Sequence, residues 1–284
     1  MNLPETIVDS HVHLWNPAEL RLAWLDGLPA LNRAFLPEDF TRTSAATNVG
    51  KMIFVECGVE PSQSLTEVDW ASAVAKTETR LRGIVAQAPL ELGADVREHL
   101  VQLSHRPLVK GVRRILQGER DTEFCLRPEF IAGVKLLADF GFSFDVCIRH
   151  EQLPAVTELV RRVPNVTFIL DHFGKPPVKA GENEPWATQL KALAKLPNVS
   201  CKISGLTTEG DWKNWQSEHL KPYFDTTLEA FGFDRVLYGG DWPVCTLATE
   251  YQGWVNTVLE MTASASQAER EQLFKTNAER IYHV

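Results

Sequence analysis

Eight histidines are spread over 284 residues, and four of them fall where chemistry is easily arranged. His11 and His13 stand one residue apart at the end of the apolar run that opens with Ile7 and Val8. In extended backbone, side chains at i and i+2 point to one face. Two imidazoles would therefore converge on one point, which suits a divalent cation or a polarisable substrate oxygen. Asp171-His172 and Arg149-His150 close two further apolar runs, and Gly239-Gly240-Asp241-Trp242-Pro243 turns out of another into a Gly-rich polar stretch. Glu56, Lys110, Arg113, Arg114, Lys202 and Ser204 sit at or near the ends of other apolar runs.

The elements that must position these groups are eight short apolar segments rich in Val, Ile and Phe: 6–10, 51–57, 81–88, 108–116, 142–148, 166–171, 199–204 and 235–238. Between them the periodicity predicts helices over 64–80, 94–103, 128–140, 153–162, 186–196 and 217–231, with 250–262 and 266–282 closing the chain. The last opens with a Ser266-x-x-Glu269 capping box. Regular strand–helix alternation implies a parallel sheet, and eight strands imply a (β/α)8 (TIM) barrel in the α/β class, one domain over 1–284. An open doubly wound sheet is the weaker alternative, because no Gly-rich dinucleotide turn follows the first strand. In such a barrel the active site lies at the C-terminal ends of the strands, where these polar residues are expected to gather.

Alternation predicts which of them point inward. His172 shares a face with Leu170 and Phe168, and Arg113 with Val109 and the small Gly111, so Arg113 rather than Arg114 is expected inside. The first connection, from Leu14 to Gly50, is long, carries Trp15 and Trp24, and shows little helical periodicity before Pro37. It reads as a lid or binding loop, or else as a structural insert over the barrel mouth. Trp15, Trp24 and Trp242 are candidates for loop packing or for stacking on a ligand.

The chain is 44% hydrophobic and 23% charged, as expected of a globular protein with a large core. A net charge of −8 argues against nucleic acid or an anionic membrane as partner. Five scattered cysteines without a CxxC pair fit reduced thiols, and with no leader-like or membrane-spanning apolar run a cytoplasmic protein is expected.

Asp-Ser-His-Val-His-Leu-Trp at 9–15, Leu-Asp-His-Phe-Gly-Lys-Pro at 170–176 and Gly-Gly-Asp-Trp-Pro at 239–243 resemble the amidohydrolase superfamily. More narrowly they resemble its amidohydrolase-related branch of sugar-lactone (L-fucono- and L-rhamnono-lactonase-like) and dicarboxylate lactone hydrolases. Gly111-Val112-Arg113 and Asn277-Ala-Glu-Arg-Ile281 extend the likeness over nearly the whole chain. The resemblance implies a catalytic set of His11, His13, His172 and Asp241, which would also be the metal ligands. His150 matches the histidine position of the fifth strand less closely. Neither Lys110 nor Lys202 has the setting of a bridging carboxylated lysine, which argues against two metals. One divalent ion, zinc foremost, or a metal-independent site are the two options left open.

The resemblance further implies a hydrolase that opens a sugar-acid lactone. Asp241 would take a proton from water and return it to the ring oxygen. The imidazoles would hold the ion or donate hydrogen bonds to the carbonyl oxygen. Glu56, Arg113, Arg114, His150, Trp15 and Trp24 are the expected substrate-binding residues, a planar guanidinium suiting bidentate recognition. Metal-dependent decarboxylation of an aromatic acid and hydrolysis of a dicarboxylate lactone are the alternatives, and a non-catalytic binding barrel is the least favoured. The expected partner is a small sugar lactone, with the chain a monomer or homodimer.

Overall fold

The computed structural model describes residues 3–284. Its strands are β1 (Ile7–Val12), β2 (Val49–Val55), β3 (Leu81–Gln87), β4 (Val109–Arg113), β5 (Ser143–Val146), β6 (Phe168–Leu170), β7 (Val199–Ile203) and β8 (Val236–Tyr238). The helices are α1 (Pro37–Ser44), α2 (Ser64–Val74), α3 (Arg97–Ser104), α4 (Pro128–Phe140), α5 (Leu153–Arg162), α6 (Trp186–Ala194), α7 (Ser217–Phe231), α8 (Tyr251–Met261), α9 (Gln267–Glu271) and α10 (Asn277–Tyr282). Every neighbouring strand pair is parallel and the spatial order is the chain order, the arrangement of a (β/α)8 barrel. Strand–helix alternation builds this because each helix has one apolar stripe to bury on the sheet. In α5, for instance, Leu153, Val156, Leu159 and Val160 are buried while Arg161 and Arg162 face solvent.

The barrel closes at two of the candidate site residues, His11 and Asp241. Between β1 and β8 the backbone hydrogen bonds run from Asp241 N–H to His11 O and from His13 N–H to Trp242 O, both 2.7 Å. Val8, Ile53, Val55, Val85, Ile169 and Leu237 fill the barrel interior, where Ala278, Ile281 and Tyr282 of α10 pack against them. The segment 266–282 departs from one regular helix: α9 and α10 are joined by a π-helical turn, Gln272–Thr276, which places Phe274 against the ring of Tyr238. The capping box is formed, with Ser266 Oγ accepting from Glu269 N–H.

The long first connection is a packed insert. Trp15, Leu20, Leu22, Leu25, Leu31, Phe35 and Phe40 are all buried, and the backbones of Trp15 and Phe35 are bonded to each other in both directions. Trp242 packs on Phe35 and Phe40 and serves this insert.

Candidate active site

Strand alternation alone does not bring His11 inward. Val8 lies in the interior cluster, and His11, an odd number of residues later, joins it through a register irregularity between Asp9 and Val12. His13 follows two residues on, so the imidazoles converge with their Nε2 atoms 3.2 Å apart. Asp241 Oδ1 lies 3.5 Å from His13 Nε2 and 3.7 Å from His11 Nε2. His172 completes the cluster, its ring 4.5 Å from that of His11 and its Nδ1 2.9 Å from Ser204 Oγ.

His172 arrives differently from the sequence expectation. Phe168 and Leu170 belong to the outer core and Ile169 to the interior, so the alternation on β6 is the reverse of that expected. The inward turn comes from left-handed backbone at His172, Phe173, Gly174 and Lys175, with φ of 54°, 58°, 69° and 51°. Asp241 is also left-handed, at φ 53°. Non-glycine residues held there carry strain that the surrounding packing must offset, which is characteristic of functional sites. Gly205 makes room for both: a Cβ there would lie 2.6 Å from His172 Nδ1 and 3.1 Å from Asp241 Oδ2.

Beneath the cluster sits a network of buried charges. Arg113 Nε donates to Glu56 Oε1 at 2.6 Å, its NH2 to the Glu56 carbonyl at 2.6 Å, and its NH1 to Asp171 Oδ2 at 3.2 Å. Lys202 Nζ reaches Asp145 Oδ2 at 2.5 Å, Asp171 Oδ1 at 3.2 Å and His11 Nδ1 at 3.2 Å. Tyr282 at the barrel floor donates to Asp145 Oδ2 at 2.7 Å. Lys202 is therefore a buried counter-charge, with no free amine on offer to the cavity. Burial pushes the Asp171 carboxyl up, but Lys202 and His11 hold it well below the usual carboxylate range. Burial and the nearby Lys202 ammonium push His11 well below its ordinary value. Burial takes His172 down to about 4, so both rings are neutral at pH 7. Asp241 is likewise raised by burial, yet His172, His13 and His11 hold it far below the ordinary range, so it is a carboxylate.

Hydrogen-bond partners assign the lone pairs. His13 Nδ1 lies 2.7 Å from the Val55 carbonyl, so it carries the hydrogen and Nε2 a lone pair. Asp171 Oδ1 is buried with no hydrogen-bond donor in good geometry, and His11 Nδ1 is 3.4 Å away. The Lys202 ammonium, which can only donate, stands 3.2 Å from that same nitrogen, and Arg113 NH1 3.3 Å from His11 Nε2, so cationic donors flank both nitrogens of the ring. The His13 Nε2 lone pair and the Asp241 carboxylate face one point, an arrangement that suits a cation. His11, His172 and Asp241 each offer a donor atom within 4.8 Å of the others, and a nitrogen-rich set with one carboxylate fits zinc.

Above the cluster opens a cavity of about 370 Å³ lined by His13, Trp15, Trp24, Cys57, Arg113, Gln117, Cys147, His172, Lys175, Thr208 and Asp241. Trp15 and Trp24 meet edge to face at 5.5 Å and form one wall, their indole N–H groups donating to backbone carbonyls. Three expected binding residues lie elsewhere. Arg114 turns outward to Glu91 and Glu119 because it alternates with Arg113. Glu56 is fully buried behind Arg113 and does not line the cavity. His150 begins the turn after β5 beside the exposed Glu151, and Cys147 takes the place at that strand end. Lys175, Gln117 and Cys147 are additions; Lys175 was visible in the Leu170–Pro176 motif, but no spacing rule aims it inward.

An eight-stranded parallel barrel with a hydrolytic type of His–Asp centre at its strand ends defines a barrel hydrolase that acts on small molecules. The amidohydrolase family model matches residues 8–284, and the chain belongs to that family. It is 31% identical to an L-fucono-1,5-lactonase of Burkholderia multivorans over 97% of this chain and 95% of that one. It is 24% identical to an L-rhamnono-gamma-lactonase of Scheffersomyces stipitis over 98% of both. A crystal structure of an amidohydrolase from Burkholderia multivorans with bound zinc superposes with a TM-score of 0.88 at 31% identity, covering 98% of this chain and 99% of that one. Among the described residues no helix is long and apolar enough to cross a membrane.

Proposed function

We propose that the protein hydrolyses the lactone of a sugar acid, using Asp241 as the proton acceptor for an attacking water. The observation that carries this is the placing of an ionised, buried carboxylate against His11 and His13 at the base of a cavity sized for one small ring. Similarity to the L-fucono-1,5-lactonase supports the choice of ester and of sugar.

His11, His13, His172 and Asp241 would hold one zinc-like ion, which when bound supplies Lewis-acid polarisation of the lactone carbonyl and acidifies water. Asp241, with Oδ1 turned to the imidazoles, receives the proton as water adds to the carbonyl carbon. It returns that proton to the ring oxygen as the C–O bond opens, so the product is a hydroxy acid and the carboxylate is restored. Arg113, fixed by Glu56 and Asp171, places positive charge beside the cluster where the oxyanion develops. The Trp15–Trp24 wall gives the sugar's C–H face an apolar surface, while Gln117 and Thr208 face its hydroxyls.

A pH-indicator assay over a panel of aldono-1,4- and 1,5-lactones, with and without chelator, tests the reading. Acid release on a few related stereoisomers is the expected result. Silence over the whole panel, with zinc supplied, would overturn it.

A further inference from the structure

The cavity holds two cationic side chains, Arg113 and Lys175, and their commitments differ. Arg113 is bound on three nitrogens by Glu56, Asp171 and a backbone carbonyl, all of them buried inside the barrel. It cannot swing to a ligand without stranding two buried carboxylates. Lys175 closes the run of left-handed residues that begins at His172, and this aims its ammonium into the cavity. Among the described residues its one carboxylate within 4 Å is Glu209, with Nζ 3.3 Å from Oε1 and both side chains less than one-fifth exposed. Glu209 ends the turn Thr207–Glu209 that follows β7, and this turn is pinned by Thr208 Oγ1 donating to Gly205 O, next to the His172–Asp241 pair. The negative partner thus comes from the turn after β7 and the cation from the turn after β6.

We infer that the Lys175–Glu209 pair sets the charge of the ligand that the cavity accepts. Paired, Lys175 offers hydrogen bonds to ring and hydroxyl oxygens but no net positive charge, so the cavity takes an uncharged lactone. A ligand carboxylate would meet Asp241 on the cavity wall, and both cations there, Arg113 and Lys175, already hold carboxylate partners. With Glu209 neutralised, Lys175 becomes the uncompensated cation facing the cavity, and anionic ring compounds gain a partner. This rests on the lactone-hydrolase reading for the identity of the ligand, but the charge filter is tested by binding alone.

The test is calorimetric titration with isophthalate, a flat dicarboxylate that is not hydrolysed, of the wild type, Glu209→Gln, Glu209→Ala and Glu209→Gln/Lys175→Met, each checked for a cooperative melt. Both Glu209 variants are expected to bind it about tenfold or more tightly than the wild type, and the double variant to lose the gain. Unchanged affinity in Glu209→Gln and Glu209→Ala, or a gain that survives removal of Lys175, overturns the inference. Failure of the lactone-hydrolase reading would show separately, as a wild type that hydrolyses no neutral lactone while the isophthalate series still reports on the pair.

Discussion

Asp9 and Gly240 are joined across the barrel seam, Asp9 Oδ1 accepting the Gly240 N–H at 2.8 Å while it also accepts the His11 N–H at 3.0 Å. One oxygen thereby fixes the backbone immediately before Asp241 and that of His11 itself. Its partner oxygen takes the Tyr251 hydroxyl at 2.8 Å. Gly240 is required for this approach, since a Cβ there would lie 2.5 Å from Asp9 Oδ2 and 2.3 Å from Tyr251 Cε2. Asp9 is a positioning residue: it is wholly buried, and it holds His11 and the backbone before Asp241, two members of the candidate site, in register.

Replacing Asp9 by Ala strands three buried donors at once, at roughly 1–3 kcal/mol each. Asp9→Ala is therefore expected to lower the unfolding temperature by about 5 °C or more. Asp9→Asn keeps an acceptor for both backbone N–H groups and should retain most of the stability. Equal melting of the alanine variant and the wild type would remove Asp9 from the seam.

The same carboxyl gives a pH signature. Burial raises it from the ordinary 3.8 to about 6, against the opposing hydrogen bonds from Gly240, His11 and Tyr251. Because the unfolded chain ionises first, this group makes stability fall as pH rises from about 4 to about 6. At ~1.4 kcal/mol per pH unit the window is worth up to roughly 3 kcal/mol. Asp9→Asn lacks the effect, so the stability difference between variant and wild type should shift in the variant's favour across that window and level off above it. A difference that stays flat with pH, read by chemical denaturation, contradicts the assignment.

Metal removal is the third test. With His11, His172 and Asp241 offering donor atoms close together and the His13 Nε2 lone pair beside them, chelator-treated protein should regain stability when zinc is restored. At a hundredfold excess over Kd the gain is ~2.7 kcal/mol, or roughly 5–10 °C for a chain of this size. His13→Ala should lose most of that response. A melting curve indifferent to zinc would leave the cluster acting through hydrogen bonds alone.

Asp241→Asn preserves shape but cannot take the water's proton. Turnover of any lactone substrate is expected to fall by about 10²–10⁴-fold with the fold retained. An active asparagine variant would transfer the proton acceptor's role to another group.

The fold was legible because barrel strands and amphipathic helices each carry their own period, and the eight apolar runs map onto the eight strands in order. His11 and His13 were legible from their spacing, and Asp241 from the glycine turn before it. The facing of His172 was not, since a left-handed turn after β6 replaces the alternation of an extended strand. Nor was the fate of Glu56 as the buried partner of Arg113. That pairing joins β2 to β4 across the interior, and no local pattern reports it. Lys202 was visible near the end of its run but its partner was not: Asp145 lies in a run that reads as an apolar strand, and only the closed barrel brings the two together.

Lys202 supplies the last prediction. Its ammonium is wholly buried and faces Asp145, Asp171 and the Nδ1 of His11, while Tyr282 caps Asp145 from the floor. Removing one partner of such a cluster leaves uncompensated buried charge, at about 3–5 kcal/mol, whereas removing the pair together is far milder. Lys202→Met should therefore be strongly destabilising, and Lys202→Met/Asp145→Asn should recover a substantial part of the loss. The recovery separates an electrostatic role from mere packing, because the second change alters charge and leaves volume nearly constant. If the double variant is no more stable than Lys202→Met alone, the stem of Lys202 and not its charge is what the barrel requires. Recovery of the fold without recovery of turnover would further show that the ammonium orients His11, whose Nδ1 it approaches to 3.2 Å.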